Sequence, residues 1–281
     1  MFTVKLEMNR TSPLKAYAEI SGLRVEVDKN SNQVLVHDVD ASDKNEAFYK
    51  ALTVANLFLN TLSWKCNAHL KIEAESSNFE LTEPSGKKHT IIRPPSLGLS
   101  LEATLAFVHA DASGNIISAS DSQELSRINV KSSDAAAYYR QAHLTDDLFD
   151  RFRNLYLASE NISDRIREKR GLSRKEVKRI YGGQPFELAL LQLALDECFA
   201  NKLHPLMVAA ERIPTFDNNQ PIIPQVTEML YKGQRCQLNH SKTSENKKIP
   251  FNLQDEKEVK TTLPLMDFIA KSLLGYEETS L

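Results

Sequence analysis

The stretch Leu148-Phe-Asp-Arg-Phe-Arg-Asn-Leu-Tyr-Leu-Ala-Ser-Glu-Asn-Ile-Ser-Asp-Arg-Ile166 decides the fold of the second half of the chain. A stripe of mainly apolar residues recurs in it at spacings of four, three, four, three and four: Leu148, Phe152, Leu155, Ser159, Ile162 and Ile166. This period is that of an α-helix with one buried face. We therefore expect a long core helix here, with Thr145 as its N-cap.

A charged connection with Gly171 and the pair Gly182-Gly183 follows this stretch, and segments with helical periodicity resume at Pro185. Phe186–Phe199 is apolar on nearly every side, which is typical of a helix at the centre of a bundle. Thr262 is expected to cap a last helix that covers Leu263–Leu274. Residues 131–281 are therefore predicted to form an all-α helical bundle.

The first part of the chain has a different pattern. Phe2–Met8 and Leu23–Val27 alternate apolar and polar residues, as half-buried strands do. One helix interrupts the strands, with Asp43 and Glu46 as a capping-box pair and apolar residues recurring as far as Leu62. The sequence thus predicts an α+β protein with two domains: residues 1–130 form a β-rich domain with one long helix, and residues 131–281 form the bundle.

The overall composition argues against several classes of protein. A net charge of −2 gives no general attraction to nucleic acids or anionic membranes. The three cysteines lie far apart in sequence, which disfavours a disulfide framework and a CxxC metal site. No signal-peptide pattern and no membrane-spanning apolar stretch is found, so we expect a cytoplasmic protein without membrane contact. Without a glycine-rich phosphate loop or zinc-ligand spacing of histidines, we expect no cofactor and no metal.

The string Tyr231-Lys-Gly-Gln-Arg-Cys-Gln-Leu-Asn-His240 contains an arginine and a histidine, two side chains suited to phosphate binding and proton transfer. His240 can move protons, because an imidazole ordinarily titrates near neutral pH. Arg235 can hold two phosphoryl oxygens, because a guanidinium stays charged and binds as a fork. Residues five apart on a straight helix point about 140° apart, so one helix does not bring these two side chains together. The alternative interpretation is structural: Arg235 satisfies carbonyls at a helix end, and His240 lies in the following turn.

Around this string the C-terminal half of the chain resembles HEPN domains, and within that superfamily the MauJ-like and ApeA-like branch. The HEPN signature is an Arg, four to six residues and a His, as in Arg235–His240. A Leu-Tyr pair precedes the motif and Pro250-Phe-Asn252 follows it, as in HEPN domains. The segment Arg151-Phe-Arg-Asn-Leu-Tyr156 is similar to the start of the bundle in that branch.

This resemblance implies a metal-independent endoribonuclease that works as a homodimer, in which two copies of the motif form one cleft. It implies that Arg235 and His240 are catalytic, and Asn239 is our candidate for orienting the histidine. It also implies a toxin or anti-phage defence role, in which residues 1–130 act as a sensor or bind a regulatory partner. The chain departs from the family at Cys236, where many members have Asn, Asp or His, because a thiol donates only weakly. The alternative function is a catalytically weak HEPN-like RNA-binding or scaffold module.

A second feature points to RNA. The run Arg165–Arg179 contains eight basic and two acidic residues, in contrast to the net charge of the whole chain. Such a cluster attracts a phosphate backbone without reading its sequence. The candidate RNA-binding residues are Arg170, Arg174, Lys175, Lys178 and Arg179. The alternative is an ordinary solvated helix face, which charge runs commonly form.

Overall fold

The computed structural model describes residues 1–73, 79–83, 86–91, 126–128, 130, 133–200, 202–232 and 252–281. The chain groups into two compact units. The first unit comprises Met1–Leu59 and Leu70–Val130, and the second comprises Asn60–His69 and Lys131–Leu281. The second unit is therefore discontinuous in sequence. The proposed division into domains 1–130 and 131–281 stays a prediction.

The first unit contains a sheet of seven strands among the residues that the structure describes. They are β1 (Phe2–Glu7), β2 (Ala16–Ile20), β3 (Leu23–Val27), β4 (Gln33–Val39), β5 (Phe79–Thr82), β6 (Lys88–Ile91) and β7 (Ser126–Arg127). Their order is β6-β5-β1-β4-β3-β2-β7, and neighbours are antiparallel except for the parallel pair β2 and β7. Buried residues alternate along the strands, as Val25 and Val27 do in β3. This alternation confirms the half-buried strands predicted from the sequence.

The predicted long helix of the first half is confirmed as α1 (Lys44–Cys66). The Asp43 carboxylate accepts the backbone N–H groups of Asn45 and Glu46 at 2.8 and 3.0 Å, and so caps the helix. The other half of the predicted capping box differs. The Glu46 carboxylate accepts from the backbone N–H and hydroxyl of Ser42, at 2.7 and 2.6 Å.

The second unit is helical, and the predicted α+β class is confirmed. After α1 it contains α2 (Asp134–Leu144), α3 (Leu148–Lys169), α4 (Arg174–Ile180), α5 (Phe186–Phe199), α6 (Leu203–Ala210), α7 (Ile222–Leu230) and α8 (Leu253–Ser280). The predicted core helix is α3, which contacts α2, α5 and α8. Its stripe residues Phe152, Leu155 and Ile162 are fully buried. Where the chain is described, no helix is both long and apolar enough to span a bilayer.

Two predicted helix starts were wrong. The N-cap of α3 is Asp147, whose carboxylate accepts from the backbone N–H of Asp150 at 2.8 Å, and Thr145 instead ends α2. The last helix begins after Asn252, well before Thr262. Pro264, which would fit the first turn of a helix starting at Thr262, here lies inside α8. There it removes one backbone donor, and the helix continues on both sides.

Candidate functional site

The predicted catalytic residues Arg235, Asn239 and His240, and Cys236 beside them, lie outside the described residues. Their mutual distances therefore stay a prediction. In sequence the motif stands between α7 and α8. Both helices belong to the core of the bundle, because Val226 and Leu230 of α7, and Ile269 of α8, are fully buried.

Four of the five predicted RNA-binding residues form one face of α4. Arg174, Lys175, Lys178 and Arg179 are all exposed, and we call them the α4 basic surface. At 100° per residue they lie within an arc of about 140°. Val177, on the other side of the helix, is fully buried. The sequence thus folds locally into a short helix with an apolar side and a cationic side.

Several contacts hold α4 in place on the bundle. Ser173 and Glu176 form a capping box, with N···O distances of 3.3 Å to the Ser173 hydroxyl and 2.7 Å to the Glu176 carboxylate. The hydrogen bonds from the Ser173 hydroxyl and backbone N–H to the Glu176 carboxylate lower the pKa of that carboxyl. At the other end, the Tyr181 hydroxyl donates to Asp196 of α5 at 2.6 Å. Because α4 is fixed at both ends, the α4 basic surface has a defined position on the second unit.

The turn before α4 has the geometry of a Schellman motif. The backbone N–H of Leu172 donates to the carbonyl of Arg167 at 3.1 Å, and that of Gly171 donates to the carbonyl of Glu168 at 2.9 Å. Gly171 adopts φ 64°, a conformation that favours glycine. The chain therefore leaves α3 at a defined angle and starts α4 three residues later.

The other basic residues of the run have partners within the chain: Lys169 donates to the carbonyl of Ser280, and three arginines form ion pairs. Arg165 pairs with Glu277, Arg167 with Asp164 and Arg170 with Glu197. Arg170 was predicted to bind RNA, and its guanidinium would have to share its charge between Glu197 and a phosphate. The local excess of positive charge is therefore concentrated on α4.

Arg174 has a contact that its neighbours on α4 do not show among the described residues. Its guanidinium carbon lies over the ring of Phe186, 4.8 Å from the ring centroid. Phe186 is the first residue of α5 and is partly buried against the core of the bundle. A cation over an aromatic face is attracted by the ring quadrupole. The Arg174 head group is thus held in place, although its side chain is exposed.

Sequence reasoning missed a polar cluster inside the second unit, formed by His69, Tyr139, His143, Arg151 and Asp267, which we call the histidine cluster. His143 Nε2 lies 2.8 Å from Asp267 Oδ1, and Arg151 Nη2 donates to His143 Nδ1 at 3.3 Å. The rings of His143 and His69 stack, with centroids 4.0 Å apart and 5° between the planes. The members come from four separate segments, so no sequence spacing could have revealed the cluster.

The neighbours of Asp267 in the histidine cluster stabilise its carboxylate. Burial alone would raise the pKa of Asp267, but hydrogen bonds from His143 and Tyr139 and the charge of Arg151 hold this pKa below its usual value. Burial and the neighbouring Asp267 carboxylate raise the pKa of the Tyr139 hydroxyl. Ser63, which lies 2.7 Å from His69 Nδ1, is fully buried and has no access to a substrate. These contacts join α2, α3, α8 and the segment after α1, which is a structural role.

One comparison with known proteins finds a similarity. The sequence profile of the family described as methylamine utilization protein MauJ matches residues 135–274. The match runs from α2 to within α8 and includes both the α4 basic surface and the Arg235–His240 motif. It supports the MauJ-like branch of the predicted resemblance. No curated protein and no solved structure matches the chain significantly.

Proposed function

We propose, from the MauJ similarity of residues 135–274, that this chain is a metal-independent endoribonuclease of the HEPN type. The observation that supports this most is the position of the motif. Arg235 and His240 stand inside the matched region, between α7 and α8, which are the last two helices among the described residues. That is where the HEPN signature is expected.

The proposed reaction is attack of an RNA 2′-hydroxyl on the adjacent phosphorus. His240 accepts the hydroxyl proton, and a proton is returned to the leaving 5′-oxygen. Arg235 stabilises the charge that develops on the phosphoryl oxygens. Asn239 orients the imidazole. The products are a 2′,3′-cyclic phosphate and a 5′-hydroxyl, and the mechanism needs no metal ion.

The proposed site is shared between two copies of the chain. Arg235 and His240 are five residues apart, a spacing at which one straight helix points the two side chains in different directions. A two-fold dimer brings Arg235 of one protomer close to His240 of its partner. RNA reaches this cleft along the α4 basic surface, with Arg170 beside it. In this proposal the protein acts in the cytoplasm as a toxin or defence effector, and the β-rich unit binds a regulatory partner.

A second function is favoured by one specific residue. Cys236 stands where many HEPN members have a polar or acidic side chain, and a thiol is a poor substitute as a hydrogen-bond partner. If that change has removed activity, the chain is an RNA-binding or scaffold module with the same surface on α4. The two functions differ in cleavage and not in binding.

The deciding experiment measures cleavage of a labelled RNA by the full chain. We expect His240→Ala and Arg235→Ala each to lower the rate by about 10²–10⁴-fold, because a proton-transfer group or a positioned charge is lost. Cleavage should persist in EDTA and leave a cyclic phosphate. The exposed residues His204 and Arg212 provide matched controls, and His204→Ala and Arg212→Ala should leave the rate unchanged. Full activity in both motif variants, or loss of activity in EDTA, would rule out this mechanism.

A further inference from the structure

The contact between Arg174 and Phe186 distinguishes Arg174 from the other cations of the α4 basic surface. Its guanidinium carbon lies 4.8 Å from the centroid of the Phe186 ring, while the residue as a whole is exposed. The guanidinium therefore lies over an aromatic ring, and the side chain still reaches solvent. Lys175, Lys178 and Arg179 have no ring contact among the described residues.

A supported guanidinium is suited to more than a phosphate contact. Nucleobases stack on arginine planes as they do on aromatic rings, and each base presents a π-face irrespective of its identity. An arginine that is already held over Phe186 loses less conformational freedom when a base stacks on it. The surrounding lysines and Arg179 can at the same time hold the phosphates of the same strand.

We propose that Arg174, supported by Phe186, is a stacking platform for an unpaired base, so that the α4 basic surface selects single-stranded RNA over duplex RNA. In a duplex both faces of each base are covered by its neighbours, so a duplex offers this surface only its phosphates. Stacking on a guanidinium is tolerant of base identity, and we expect little sequence preference. This inference rests on the proposed RNA-directed function.

The position of the platform is well determined. Ser173, immediately before Arg174, and Glu176, two residues after it, form the capping box at the start of the helix, and Tyr181 ties the other end to Asp196. Phe186 begins α5, the helix on which α4 packs. The bundle therefore fixes the backbone positions of Arg174 and Phe186, and the contact between them depends only on the conformation of the arginine side chain.

The test measures binding of the full chain, made inactive by His240→Ala, to a single-stranded RNA and to a duplex of the same sequence. Arg174→Lys keeps the charge and removes the plane. We expect it to weaken single-strand binding by about 5- to 150-fold, the range that loss of one stacked base gives, and to change duplex binding by less than about twofold. Phe186→Leu should act in the same direction. Lys178→Arg is the matched control, because it changes the head group without a ring beneath it, and it should change neither affinity.

A base analogue reports the stack directly. 2-Aminopurine in the single strand should be quenched on binding to the parent protein and not on binding to Arg174→Lys, with unchanged thermal melting of the variant. Equal losses of affinity for single strand and duplex, or no loss for either, would overturn the inference.

The stacking proposal and the RNA-binding proposal fail in different experiments. Replacing all four cations of the α4 basic surface by Ala should abolish most RNA binding, and its failure to do so would contradict the RNA-binding surface as a whole.

Discussion

Individual side chains in the histidine cluster have defined hydrogen-bonding roles. Arg151 can only donate, so His143 Nδ1 must accept, and Nε2 then carries the hydrogen that faces Asp267. The His69 ring lies flat against the same imidazole. A change at any one of these positions therefore affects the others, and the cluster fixes how three helices of the second unit meet.

Asp267→Asn is expected to destabilise the protein by about 1–3 kcal/mol at pH 7, because a charged acceptor for His143 and Tyr139 is lost. The pKa of Asp267 is lowered in the folded protein, so its contribution is present above the ordinary pKa of 3.8 and is lost as the pH falls through the lowered value. The difference in free energy of unfolding between parent and variant should thus shrink below about pH 4. Urea denaturation at several pH values measures this.

The exposed residue Asp146 provides the control for that experiment. Asp146→Asn should leave the free energy of unfolding within about 0.5 kcal/mol of the parent at each pH. If Asp267→Asn has as small an effect as Asp146→Asn, the histidine cluster does not stabilise the fold in the way described.

The helices show which features the sequence could predict. The stripe of α3 and the apolar α5 were predicted because one face, or nearly the whole surface, of each helix is buried, and burial leaves a periodic pattern. Helix α4 was not predicted as a helix. Its seven residues include only two apolar ones, Val177 and Ile180, too few for a periodic signal. The support of Arg174 by Phe186 was equally hidden, because a contact between two helices depends on their packing.

Two glycines, one in the turn after α3 and one inside α8, should respond oppositely to alanine. Gly171→Ala places a Cβ at φ 64°, which costs about 1–2 kcal/mol, and should weaken the turn from α3 to α4. Gly275 lies inside α8, where an added Cβ meets nothing within 4 Å, so Gly275→Ala should stabilise by about 0.5–1 kcal/mol. Chemical denaturation of both variants provides the measurement. If both variants change the free energy of unfolding in the same direction, the backbone geometry assigned to these glycines is contradicted.

For the molecule as a whole, the proposed catalytic site requires two chains. We expect a homodimer at micromolar concentration, measured by light scattering or sedimentation, because the Arg235–His240 spacing does not form a site on one helix. Mixing His240→Ala with Arg235→Ala should restore part of the cleavage, since a mixed dimer then contains one intact pair. A strict monomer that still cuts RNA would exclude the shared site.

Because the second unit is discontinuous in sequence, residues 131–281 do not contain all of it, which matters when this half of the chain is expressed alone or transferred to another protein. The buried Arg140 donates to Asn60 at 3.1 Å, and Lys271 donates to Asn67 at 2.7 Å, so Asn60–His69 supplies acceptors to α2 and α8. A gene fragment that encodes only residues 131–281 leaves those ten residues behind. Residues 131–281 alone therefore lack part of the hydrogen bonding of the second unit. Any recombination that transplants it must carry the end of α1 along or replace these acceptors by new ones.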